Sequence, residues 1–216
     1  MSKLSWGTAG DRFYEAGADR GVLYASGEVG VAWNGLISVS EAPSGGEPNP
    51  HYIDGFKYVN LAAAEEFVAT IEAFSSPNEF AKCDGTAQIH AGLFITQQPR
   101  KIFGLCYRTM VGNDLDGLGY GYKLHLVYNA LASPSSRDNQ TLSDSANPII
   151  LSWGITTNPP PLADNKPTAH LLIDSRYTPE GLMLYLEDIL YGSDTSEPYM
   201  SSPQEFVDLF ASWPNP

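Results

Sequence analysis

Two runs constrain this chain most: "KIFGLCYRTMVG" (101–112) and "YGYKLHLVYNAL" (120–131). Both are dominated by aromatic and large aliphatic residues that suit a pleated surface. The link between them, "NDLDGLG" (113–119), consists of turn formers. That arrangement predicts a β-hairpin. Further strand-like segments surround it: "GVLYA" (21–25), "GVAWNGLISVSEA" (30–42) with Ile37 and Val39 on one face, "YIDGFKYVNL" (52–61), "NPIILSWGITTNP" (147–159) and "PTAHLLIDS" (167–175). Helical signals are fewer. In "YTPEGLMLYLEDILYG" (177–192), Thr178 is placed to cap and Pro179 to open the helix. Leu182, Leu186, Ile189 and Leu190 form its apolar face, and Gly192 stops it. "SPQEFVDLF" (202–210) carries a capping box in Ser202 and Glu205, with Phe206, Leu209 and Phe210 apolar. "SSPNEFAKCDG" (75–85) offers the same logic in Ser76, Pro77 and Glu79.

About eight strand segments with two or three short helices predict a mainly β fold. It is a β-sandwich or barrel-like arrangement of antiparallel sheets, with a flanking α-helix near the C-terminus. Twenty Gly and sixteen Pro suit its many turns, and 216 residues suit one domain. The expected organisation is an N-terminal arm (1–20), a β domain (21–192) with its flanking helix at 179–191, and a C-terminal arm (193–216) with a short helix. One segment interrupts the pattern. "PSGGEPNPH" (43–51) holds two Gly and three Pro, which exclude helix and central strand. It is longer than the usual 2–5 residues of a hairpin loop, and such a loop is mobile or touches something.

"NLAAAEEFVATIEAF" (60–74) is ambiguous. Its alanines and glutamates favour helix, yet from Glu66 onward it alternates. Phe67, Ala69, Ile71 and Ala73 fall on one side, and Glu66, Thr70 and Glu72 on the other.

Catalytic signatures are missing. His51, His90, His125 and His170 have no partners at metal-ligand spacing, and His125 and His170 lie in strand patterns. "DLDGLG" (114–119) fails as a calcium loop, because Leu118 stands at position five and His125 at position twelve. "GLGYGY" (117–122) lies between strands with no helix to receive a pyrophosphate. "NQT" (139–141) matches a glycosylation sequon without a secretory signal. No serine occupies a nucleophile elbow. Glu65/Glu66 and Glu187/Asp188 are adjacent pairs that point different ways. The expectation is a non-enzyme without metal or cofactor.

The formal net charge of −13 argues against DNA gripping through a basic patch. From Tyr177 onward there are seven Asp or Glu and no Lys or Arg. The start, "MSKLSWGTAGDRFYEAG", lacks an apolar core of signal-peptide length, and no segment approaches the roughly 20 apolar residues of a membrane helix. Cytoplasmic maturation is expected, without membrane insertion, and with Cys83 and Cys106 reduced and unpaired.

Five blocks together resemble the major tail protein, the tail tube subunit, of long non-contractile-tailed phages (siphophages) of actinobacteria. They are "GVAWNGLISVSEAPSGGEPNPHYIDGFKYVNL", "AEEFVATIEAF", "QQPRKIFGLCYRTMVGND", "GYKLHLVYNALASPSSR" and "KPTAHLLIDS". The resemblance runs from about residue 20 to residue 192. It implies the tail-tube-protein fold and hexameric rings that stack into a hollow tube, with strands of six subunits joined around the lumen. It also implies a virion tail assembled in the host bacterial cytoplasm, where tape-measure, tail tip and terminator proteins are the partners. DNA would pass through the lumen during ejection without specific binding. The long loop that reaches the neighbouring ring matches Pro43, Ser44, Gly45, Gly46, Glu47 and Pro48. Some relatives carry a further immunoglobulin-like C-terminal domain, which is not expected here. On this reading 65–74 is a strand, and Glu66, Thr70 and Glu72 face the lumen or a neighbour; an outer solvent surface is the other option. The competing function is a carbohydrate- or receptor-binding β-sandwich of a tail tip, with Tyr120, Tyr122 and Tyr128 as a sugar platform.

Overall fold

The structure, a computed structural model, describes residues 4–26, 28–135, 137–141 and 148–214. In chain order the elements are β1 (Tyr14–Ala25), β2 (Val31–Ala32), β3 (Leu36–Glu41), β4 (Ser44–Gly45), β5 (Pro48–Ile53), β6 (Phe56–Ala62), β7 (Glu65–Glu66) and β8 (Val68–Ala73). A 3₁₀ turn (Asn78–Phe80) runs into α1 (Ala81–Asp84). Then come β9 (Ala87–His90), β10 (Leu93–Ile95), β11 (Phe103–Asn113), β12 (Gly117–Ala132), β13 (Leu151–Thr157), β14 (His170–Asp174), α2 (Glu180–Tyr191) and α3 (Pro203–Ser212).

The expected hairpin is the spine of the fold. β11 and β12 pair antiparallel along most of their length. Asn113 closes the turn by accepting the backbone N–H groups of Leu115 and Asp116 on its side-chain oxygen. The other edge of β12 is shared: β14 pairs with Lys123–Val127 and β13 with Ala130–Ala132. A bulge makes this possible. Asn129 takes a positive φ of 49°, and the β11 register shifts between Leu105 and Phe103. The extra residue flips the side-chain alternation, so Val127, Ala130 and Ala132 share one face while Leu124, Leu126 and Tyr128 share the other.

All pairings in the main sheet are antiparallel, in the order β2-β1-β11-β12-β13-β8-β3 with β14 beside β12. The sheet curls until its ends approach. A Cβ on Gly21 of β1 would lie 2.8 Å from Leu36 Cδ2 of β3, which shows how near the two strands come. The inner face packs Leu23, Trp33, Ile71, Phe80, Leu105, Trp153 and Ile155. The outer face is covered by α2 and α3, where Leu182, Met183, Leu186, Leu190 and Phe206 meet Leu124, Leu126 and Ile173. The mainly antiparallel β architecture with a flanking C-terminal helix is as expected. It is one curled sheet with two apolar faces.

Several local expectations need correction. β1 begins at Tyr14, inside the segment read as an arm. Residues 14–20 are almost all exposed, and register shifts occur at Ala16/Ala18 and Asp19/Val22, so no apolar alternation marks them. The remaining arm residues 1–3, 215 and 216 lie outside the described residues, as does Asn147 of the expected 147–159 strand. Thr178 does not cap α2; its hydroxyl donates to the Asp174 carbonyl, and Pro179 is the N-cap. Ile189 is only half-buried and Met183 takes its place on the buried face. The Ser76–Glu79 capping box does not form, because Pro77 heads the 3₁₀ turn. The Ser202–Glu205 box does form.

Cys83 packs in the inner core and Cys106 in the outer one, on opposite faces of the sheet. Both are free and fully buried. Burial pushes the Cys83 thiol up to about 11 and the Cys106 thiol up to about 12. Native protein treated with iodoacetamide at neutral pH is therefore expected to gain no adducts, and denatured, unreduced protein to gain two. A mass showing a Cys83–Cys106 bridge would refute this.

Candidate functional site

Between β3 and β8 the chain leaves the sheet as a long ribbon. Its foot is β4 paired with β7, Ser44 opposite Glu66 and Gly45 opposite Glu65. Its blade is β5 paired with β6, from Pro48–Ala62 to Ile53–Phe56. The tip is Asp54–Gly55, with φ values of 50° and 81°. Two such positive φ values suit the tight turn that Asp-Gly favours between two strands. Residues 43–48 are therefore one leg of the ribbon, a correction to their reading as an isolated loop. The prolines do not prevent strand formation here. Pro48 and Pro50 are two apart in a two-stranded ribbon, so both missing N–H groups fall on its free edge. Asp54–Gly55 between strand formers was the sequence signal for this hairpin; the prolines and glycines before it masked the pattern.

Every residue of β5 and β6 is exposed. Phe56 is 78% exposed and Tyr58 75%. By the register, Ile53, Phe56, Val59 and Leu61 share one face, Tyr52 lies on the other with Lys57 and Asn60, and Tyr58 is the extra residue of a bulge opposite His51 and Tyr52. One face thus carries most of the large apolar groups. A second hairpin, β9–β10, also exposes Ile89, Leu93 and Phe94.

The strand expected over 65–74 is present but broken at Phe67. Ala69, Ile71 and Ala73 of β8 are buried, as the alternation requires. Thr70 and Glu72 lie together on the opposite face. Glu66 does not join them, because β7 belongs to the ribbon's foot. The Phe67 carbonyl accepts from the Thr157 hydroxyl and Ala42 N–H donates to the Val68 carbonyl, which seats the chain where the ribbon departs. Around Thr70 and Glu72 the cross-strand neighbours are Ser38 and Ser40 on β3 and Ser152, Gly154 and Thr156 on β13. The Ser38 hydroxyl donates to Glu72 at 3.0 Å. The result is a face of small, mostly hydroxyl side chains with one carboxylate.

Inside the curled sheet, beside the ribbon's foot, Glu41, His125 and His170 converge, their ligand atoms all within 4.8 Å of one another. Spacing along the chain could not show this: the two histidines are 45 residues apart and meet only through the β12–β14 register. His125 Nδ1 lies 3.2 Å from Glu41 Oε1 and 3.2 Å from His170 Nε2. Its Nε2 lies 3.0 Å from the Thr109 hydroxyl. The Tyr107 hydroxyl donates to Glu41, and the Tyr107 ring lies 4.5 Å from the His125 ring at 12°. Hydrogen bonds from His125 and Tyr107 outweigh burial and hold the Glu41 carboxyl at about 2. Burial pulls His170 down to about 4.

The three tyrosines do not form one platform: Tyr128 is buried, Tyr122 packs against the outer core, and Tyr120 lies tilted against Phe13. Among the described residues no helix is long and apolar enough to cross a membrane.

No protein-family model matches the chain, and no curated protein matches it. Among solved structures it is similar to a chain of the sixfold-symmetrised baseplate of the anti-feeding prophage. That match has 11% identity, covers 79% of this chain and 97% of that one, and has a TM-score of 0.38. It is also similar to Hcp1 from Flavobacterium johnsoniae, with 11% identity, 73% and 95% coverage and a TM-score of 0.34. A third is a chain of the sheath-tube complex of an extracellular contractile injection system in its extended state, with 11% identity, 79% and 93% coverage and a TM-score of 0.35.

Proposed function

We propose that this chain is a structural subunit that polymerises into a tail tube. The observation that carries the reading is the β5–β6 ribbon. It is exposed throughout, strongly apolar on one face and attached by a narrow foot. A two-stranded ribbon is marginal in water by itself, so its apolar face needs a covering surface. A neighbouring copy supplies it: subunits close into six-membered rings, rings stack, and the ribbon with Pro43–Pro48 in its near leg reaches the next ring. The sequence blocks that resemble siphophage major tail proteins support the same assembly. They also support the finer assignment to a virion tail built in the host cytoplasm with tape-measure, tip and terminator proteins. No catalysis is required of it. Electron microscopy of purified protein tests the reading: hollow tubes or stacked rings support it, and a persistent monomer at high concentration overturns it.

The small-residue face of β3, β8 and β13 lines the lumen in this proposal. Its hydroxyls and Glu72 offer passing DNA no cation to bind. Glu66 belongs to the ring-to-ring contact instead. A T70K/E72K variant is expected to form tubes and to slow DNA ejection several-fold. The slowing is larger at 0.01 M salt, where the Debye length is about 30 Å, than at 0.15 M, where it is about 8 Å. Unchanged ejection through well-formed variant tubes would place this face outside the channel.

A further inference from the structure

We propose that Glu41, His125 and His170 form a binding site for a divalent transition metal ion of the zinc class, independent of whether the chain builds a tube. The argument starts from hydrogen-bond supply. His125 Nδ1 faces two acceptors at 3.2 Å, the Glu41 carboxylate and His170 Nε2. One N–H on Nδ1 must be shared between them. A cation at the position of that shared proton would meet one carboxylate oxygen and two imidazole nitrogens. Zinc bound at about 2.0–2.2 Å from such atoms separates them by about 3.3–3.5 Å in a tetrahedron. Two of the three separations already lie close to this. The third closes by a swing of Glu41, whose side chain is 33% exposed. The ions keep a fourth position for water, which enters from the same side.

The surroundings are those of a ligand set. With metal bound, Thr109 Oγ1, 3.0 Å away, would accept a proton on His125 Nε2, which leaves Nδ1 to give its lone pair to the metal. A neutral His125 reaches that form by exchanging its Nδ1 proton for one on Nε2, with no net proton released. Tyr107 holds the Glu41 carboxylate through its hydroxyl and flanks His125 with its ring, and Phe67 lies 4.6 Å from the His170 ring. Two imidazoles and one carboxylate suit zinc, cobalt or nickel better than calcium or magnesium. The three ligands come from β3, β12 and β14, so the ion would tie the last residue of β3 to the hairpin spine. That residue lies three positions before Ser44, where the ribbon's foot begins.

The test is titration of the full chain, freed of metal by a chelator, with Co²⁺ and Zn²⁺. One equivalent of Co²⁺ should give the visible absorption of a four-coordinate site, and Zn²⁺ should displace it and raise the melting temperature. Glu41→Gln and His170→Asn should abolish the one-equivalent event, and Thr109→Val should weaken it about tenfold. A His51→Ala/His90→Ala variant, which removes two exposed histidines, should keep it. Histidine-ring NMR of the unmodified protein provides a reading that needs no variant, with shifts confined to His125 and His170. The proposal fails if the unmodified chain binds no ion, if binding survives in Glu41→Gln, or if the shifts fall on His51 and His90.

Discussion

Replacing residues 47–64 with a short Gly-Ser link is expected to leave a folded chain that builds no tubes at any practical concentration. The ribbon contributes nothing to either core, since all of β5 and β6 lies in solvent. Ser44–Gly45 and Glu65–Glu66 still meet at the foot in the shortened chain. Circular dichroism and the thermal midpoint should stay close to those of the parent, while electron microscopy shows single subunits. A milder version is Phe56→Ser. Large side chains at the centre of an interface commonly contribute about 2 kcal/mol, which is about thirtyfold in affinity. The critical concentration for assembly should rise by about that factor. Normal tube yield from the shortened chain would show that this ribbon is not the joint between rings.

The largest stability effect is expected from Trp153→Ala. Trp153 is fully buried at the middle of the inner core. Its ring meets Phe80 edge-on at 5.0 Å and Trp33 at 5.8 Å, and its indole N–H donates to Asp84 at 3.1 Å. Truncating an aromatic in such a place costs about 3–5 kcal/mol, a large share of the 5–15 kcal/mol that holds a typical domain. The midpoint of thermal unfolding should fall by about 10 °C for a chain of this size, and urea unfolding should shift with little change of slope. Tyr199 at the surface is the control; Tyr199→Ala should move the midpoint by little. A Trp153 variant as stable as the parent would mean that the inner face packs differently.

The parts of the fold that were legible in the sequence share one property: local chemistry decides them. The β11–β12 hairpin was readable because two apolar runs flank a turn sequence. The Ser202–Glu205 box was readable because a cap needs only three residues. β8 was readable because Ala69, Ile71 and Ala73 are buried on a period of two. Illegible parts depend on partners far along the chain. The first half of β1 has no apolar signature, since its partner β11 buries little of it. The break at Phe67 follows from where the ribbon leaves, and the turn of β12 from one face to the other follows from a single residue at Asn129. Glu41, His125 and His170 become neighbours only once two strand registers are set. The projecting segment was found from its proline and glycine content, but its true tip lies at Asp54–Gly55.

The pairing of β1 with β11 has a consequence for synthesis. Asp19 and Arg108, which bond side by side on these strands, are 89 residues apart. A ribosome adds about 5–20 residues each second. Val22 to Ala25 therefore wait about 4–18 seconds before the strand that covers them emerges. Throughout that interval a sticky strand edge is open on every nascent chain. Nascent copies on one messenger are close neighbours, so each delay is an opportunity for premature association. The surplus of negative charge, −13 on the finished chain, works against such encounters. Its distribution suits the timing less well, because seven acidic residues follow Tyr177 and are made last. The first 25 residues balance Asp11, Glu15 and Asp19 against Lys3, Arg12 and Arg20, so the open edge spends its first seconds without any net side-chain charge to guard it.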